Sequence, residues 1–153
     1  MQKELCIEVA DIRKGTASFT VQEMAAMTGE QIALEERVPG VSGEAFGLKA
    51  WYRSWRQSEP GQEPTHVRVE AVDEFQAQLP WAEADLAVFL YAQDGEPIKK
   101  GYPMRLYVPD GSSECLNVKS IVKVWFLQDA SLEAEATYGF KNRVTLSDMK
   151  LKK

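Results

Sequence analysis

Apolar and polar residues alternate from the start of the chain. Leu5, Ile7 and Val9 are separated by Cys6 and Glu8. A period of two predicts a half-buried strand over residues 4–9. Gly15-Thr16 predicts a turn. Thr20-Val21-Gln22-Glu23 then has the spacing of a capping box, in which the Thr20 hydroxyl and the Glu23 carboxylate each meet an orphaned backbone amide. Val21, Met24 and Ala25 share a face behind it, and Gly29 ends a short helix. Residues 32–38 predict another strand, stopped by Pro39-Gly40.

The next pattern has a different period. Leu48, Trp51, Tyr52 and Trp55 fall at i, i+3, i+4 and i+7, which predicts an amphipathic helix with a buried aromatic stripe. Residues 57–65 hold two prolines and a glycine and predict a polar loop. His66 to Val72 alternates again, with Val67, Val69 and Ala71 inward and His66 a surface or edge residue. From Pro80 the reading is helical, with Leu86, Phe89 and Leu90 on one face. Gln93-Asp94-Gly95-Glu96-Pro97 predicts a turn, residues 104–108 and 118–127 predict strands, and residues 133–137 a last one. Strands interrupted by short, irregularly placed helices define a single α+β domain with a mixed sheet.

Composition narrows the chemistry. The chain has 153 residues, a length that suits one core. Hydrophobic residues make up 44% and charged residues 27%, so disorder is not expected. A net charge of -5 argues against nucleic acid. The basic residues of 141–153 read as a solvated tail. No apolar run approaches the roughly 18 residues of a membrane helix. No signal-like N-terminus is present, so a cytoplasmic location and no membrane partner are expected.

Two cysteines, Cys6 and Cys115, and one histidine, His66, leave no zinc motif. Three glycines at 40, 43 and 47 fit no phosphate-loop spacing and read as an ordinary loop. A hydrolase would need His66 as its only base, and no G-x-S-x-G occurs.

The order of features from 66 to 127 is more specific. A strand ends in Val72-Asp73-Glu74-Phe75. Leu79-Pro80 and Ala84–Ala92 follow, then Asp94-Gly95-Glu96-Pro97-Ile98, then Gly101-Tyr102-Pro103-Met104-Arg105-Leu106-Tyr107-Val108-Pro109, and finally Asn117-Val118-Lys119. This order resembles the molybdopterin-binding domain of the sulfite oxidase family, and G-x-P-x-R-L-x-V-P is its most specific block. Leu5–Val9 and Phe19–Met24 resemble that family's first strand and helix more loosely, so the likeness spans about residues 4–127.

The resemblance implies a remnant cofactor pocket containing Arg105, Lys119 and Asp73. Arg105 would lie near the core and need a partner, either Asp73 or a backbone carbonyl. Lys119 could face an anion.

The departures are also informative. The family's molybdenum ligand is a cysteine in a C-x-x-G-W segment, yet no cysteine lies between residues 7 and 114, and 38–43 reads Val-Pro-Gly-Val-Ser-Gly. Asp73-Glu74-Phe75 replaces Asp-Gly-Tyr, and Glu114 stands where a pterin phosphate would rest.

The expectation is therefore a non-catalytic, sulfite-oxidase-like domain without molybdenum, acting as a small binding module for an anionic ligand or a protein. Molybdopterin enters only if the pocket is intact. The alternatives are a molybdopterin-dependent oxidoreductase with a non-cysteine metal site, and an unrelated α+β domain that binds through Trp51 and Trp55.

Overall fold

A computed structural model describes residues 5–11, 15–29, 31–56 and 63–140. The basic segment 141–153 and residues 57–62 of the polar loop lie outside the described residues. In chain order the elements are β1 (Ile7–Asp11), β2 (Gly15–Phe19), α1 (Val21–Thr28), β3 (Ile32–Ala33), β4 (Glu44–Gly47), α2 (Leu48–Arg56), β5 (His66–Ala71), β6 (Phe75–Pro80), β7 (Val88–Gln93), β8 (Glu96–Pro97), β9 (Arg105–Tyr107), β10 (Ile121–Leu127) and β11 (Thr137–Phe140). They form a small, sheet-dominated α+β domain.

The larger sheet runs β11-β6-β5-β10-β1-β2. It is mixed, because β1 and β10 pair in parallel while its other pairs are antiparallel. The smaller sheet runs β3-β4-β7-β8, with β9 also paired to β7. The main core lies between the inner face of the large sheet, both helices and one face of the small sheet. Ile7, Val9, Val67, Val69, Ala77, Leu79, Val124 and Phe126 reach it from the strands. The stripe of α2 enters from the other side, with Trp51 and Trp55 stacked at 5.2 Å and Phe19 edge-on to both. Trp51 is 0% exposed and Trp55 6%. That removes the basis for an exposed aromatic binding face.

The capping box forms as read: Glu23 N donates to Thr20 Oγ1, Thr20 N donates to Glu23 Oε1, and Gly29 closes α1 at φ 68°. Several other readings are corrected. Residues 32–38 hold a two-residue strand and then a single 3-10 turn at Leu34–Glu36, closed by Arg37 N donating to Leu34 O.

The helix expected from Pro80 is absent. Pro80 ends β6, Trp81–Ala84 make a 3-10 turn, and Val88–Gln93 is strand β7. The cause is burial on both faces. Phe89 joins the main core, while Val88 and Leu90 join a second cluster with Leu34, Ala45, Ile98 and Tyr107. A strand covered on both sides shows no alternation, so its sequence cannot be told from a buried helix. The last strand also begins at Thr137, where the sequence placed its end.

Candidate functional site

Arg105 opens β9 directly opposite Leu90 of β7, so both side chains share the face of the small sheet that carries the second cluster. Tyr107 lies two residues on and faces the same way. The Arg105 guanidinium sits 5.1 Å from its ring centroid, a cation–π contact. The stem of Arg105 rests on Gly101, where φ is +87° and an added Cβ would collide with Arg105 Cγ and Cδ. Only glycine combines that backbone with that approach. The Arg105 Nε–H is buried and has no hydrogen-bond partner among the described residues.

The segments carrying the other two expected residues meet here through backbone hydrogen bonds. Ser120 N donates to Gly101 O at 3.1 Å, and Val72 N donates to Ser120 O at 3.0 Å. Leu106 N donates to Val118 O, and Ile121 N to Met104 O. The turn with Asp73, the loop with Lys119 and the start of β9 therefore lie side by side. Ser120 at φ 56° and Glu74 at φ 72° mark the tightness of the two turns.

The side chains do not form the ion pair the sequence suggested. Asp73 is exposed, and its Oδ1 accepts from Phe75 N at 3.2 Å within its own turn. No ion pair joins it to Arg105 among the described residues. The observed partner of Arg105 is the Tyr107 ring, with neither Asp73 nor a carbonyl bonded to its Nε. Lys119 is exposed.

Loop 38–43 reaches the same face from the opposite edge of β7. Val38 and Val41 pack on the second cluster, and Gly43 lies so close to Leu90 and the Ala92 carbonyl that a Cβ would clash with both. This is the region where the resemblance would put a metal-binding thiolate. Its described side chains are apolar or hydroxyl-bearing, and the free cysteines, Cys6 and Cys115, are exposed elsewhere. No group of three His, Cys, Asp or Glu side chains among the described residues could hold a metal. The residues present do not fit a molybdenum–thiolate centre. Leu116 is fully buried in the main core, while Glu114 beside it is exposed.

Two polar groupings were not anticipated. Asp11, on the inner face of β1, accepts from Tyr52 Oη at 2.9 Å and from Arg56 Nη1 at 3.0 Å, and Arg56 Nη1 also donates to Tyr52 Oη at 2.7 Å. Burial, followed by the adjacent Asp11 carboxylate, raises the Tyr52 pKa to about 12. Arg56 follows Tyr52 at i+4, but its partner Asp11 is distant in sequence, so only the helical half of this triad carries a local signal.

His66, expected at the surface, is 5% exposed. Its Nε2 is 2.8 Å from Glu133 O and its Nδ1 2.9 Å from Thr65 Oγ1. The segment between β10 and β11 supplies that cover, and no local pattern announces it.

No helix among the described residues is long and apolar enough to cross a membrane. No protein-family model matches the sequence, and a search of curated proteins finds no match.

Proposed function

We propose that the chain is a sulfite-oxidase-like molybdopterin-type domain that has lost its metal and works as a small module binding an anion or an anionic partner. The observation that carries this is the setting of Arg105. A buried, unpartnered Nε–H on a guanidinium seated against Gly101 is a donor held ready for an acceptor. The order of segments around it supports the family reading, because the turn with Asp73, the G-x-P-x-R-L block and the loop with Lys119 adjoin one another. The apolar loop 38–43 supports the loss of the metal, since thiolate is the soft ligand such a centre requires.

The test has two arms. Protein purified from a host that makes molybdopterin is expected to contain no stoichiometric molybdenum. Stoichiometric metal would return the chain to the oxidoreductase class. In the second arm, sulfate and phosphate are titrated while the melting temperature is followed. A saturable rise that Arg105→Gln abolishes is expected, and an equal rise in that variant would refute the role of Arg105.

A further inference from the structure

The large sheet buries one face against the helices. Its other face carries a row of side chains that are directly opposite one another across all six strands: Thr137, Gln78, Arg68, Trp125, Ala10 and Thr16. At a strand spacing of about 4.8 Å the row is about 24 Å long. Neither described helix lies over it. Two concavities, of about 200 Å³ and about 450 Å³, lie along the row and share Arg68. Asp129 and Leu132, from the segment that also covers His66, wall the larger one.

The hydrogen-bonding groups on this face are partly committed, in a way that leaves a defined remainder. Arg68 Nε and Nη2 both donate to Gln78 Oε1, at 3.0 and 2.6 Å, which leaves the Gln78 amide nitrogen as a donor. Gln76 Nε2 donates to Glu70 Oε1 at 2.7 Å, which leaves the Gln76 carbonyl oxygen as an acceptor. Gln78 and Glu70 are only 7% and 5% exposed, so these planar groups are held in place.

Trp125, half-buried and opposite Arg68, adds an aromatic surface. Charge is nearly balanced: Lys123 faces both Glu8 and Glu70 across the strands, Arg68 lies two residues from Glu70 on β5, and Asp129 lines the larger concavity. An anion finds no positive surplus here, and a cation meets Arg68 at the centre. The fitting ligand is uncharged, carries hydroxyls that both donate and accept, and has an apolar C–H face for the indole.

We propose that this outer face binds a neutral, linear oligosaccharide lying across the strands, stacked on Trp125 and hydrogen-bonded by Arg68, Gln76 and Gln78. The site is separate from the Arg105 region and does not depend on the reading given to that region.

Iodide quenching of tryptophan fluorescence tests it on the full chain. Trp51, Trp55 and Trp81 are buried, so iodide should reach chiefly Trp125. Cellotetraose, maltotetraose, tetra-N-acetylchitotetraose and inorganic phosphate are the probes. At least one sugar at millimolar concentration is expected to lower the quenching constant about twofold, corresponding to a millimolar Kd.

Calorimetric titration should then show binding weakened about tenfold or more by Trp125→Ala and by Gln76→Ala. The second substitution lies at a half-buried surface position and guards against misfolding of the first. Protection by none of the sugars, protection by phosphate in their place, or unchanged binding by folded Gln76→Ala would each overturn the proposal.

Discussion

Replacing Asp11 with alanine tests the energetics of the deepest polar cluster. The Asp11 side chain is 0% exposed and that of Arg56 7%, so water cannot take over the role of the carboxylate. The substitution leaves a guanidinium with the Tyr52 hydroxyl at 2.7 Å but without its counter-charge, and deprives that hydroxyl of its acceptor. Breaking a buried pair from one side costs about 3–5 kcal/mol. The lost acceptor of Tyr52 adds about 1 kcal/mol. A domain of this size has a total stability of about 5–15 kcal/mol, so Asp11→Ala should sit near the threshold of folding.

The double variant Asp11→Leu with Arg56→Met removes both charges and keeps apolar volume. It should cost far less than Asp11→Ala, because desolvation of the charges disappears together with their attraction. Urea unfolding followed by circular dichroism measures both variants. A cost below about 1 kcal/mol for Asp11→Ala, or a double variant as unstable as the sum of its single substitutions, would refute the reasoning.

Two further predictions rest on the same kind of bookkeeping. Tyr52 has a folded pKa of about 12 against an ordinary 10.0, so the unfolded state loses this proton first as the pH rises. The contribution is fully present below pH 10 and is lost by about pH 12, amounting to about 2–3 kcal/mol. Unfolding curves between pH 9 and about 12 should show this fall in wild type and a shallower one in Tyr52→Phe; equal slopes would refute it. Gly101→Ala forces a Cβ onto the Arg105 stem at positive φ and should cost about 2 kcal/mol or more. Adding Arg105→Ala should recover the steric part, measured as non-additivity in thermal unfolding.

What the sequence made legible was whatever local chemistry decides. The capping box at Thr20 and Glu23 and the glycine after α1 are contacts within a few residues, and they form as read. The aromatic stripe of α2 has one buried face and one solvated face, so its period survives in the sequence. The Asp94-Gly95 turn is equally local, because both residues take positive φ between β7 and β8. By contrast β7 is covered on both sides and loses its alternation. The cover over His66, and the partner that buries Asp11, come from residues more than forty positions away. Of the candidate site, the segments bearing Asp73, Arg105 and Lys119 adjoin through backbone hydrogen bonds, while the Asp73 and Lys119 side chains are exposed. The contact of Arg105 was not legible, because a strand over 104–108 puts Tyr107 on the same face without deciding whether the guanidinium meets that ring, Asp73 or a carbonyl.

Loop 38–43 is held in place by apolar packing and a backbone hydrogen bond. In small metal-dependent folds, binding energy is folding energy and removing the ion unfolds the chain. Here the loop is fixed by Val38 and Val41 on an apolar cluster, by Leu34 N donating to Gly43 O at 2.9 Å, and by the close approach of Gly43 to Leu90. None of these contacts involves a metal ligand, so the described conformation of the loop rests on packing and one backbone hydrogen bond. Arg105 is in a different position. Its unpartnered Nε–H carries a standing penalty of about 1–3 kcal/mol, and an acceptor at that nitrogen would recover it. A bound anion should therefore stabilise the fold by an amount of that order, through Arg105 and without any contribution from loop 38–43.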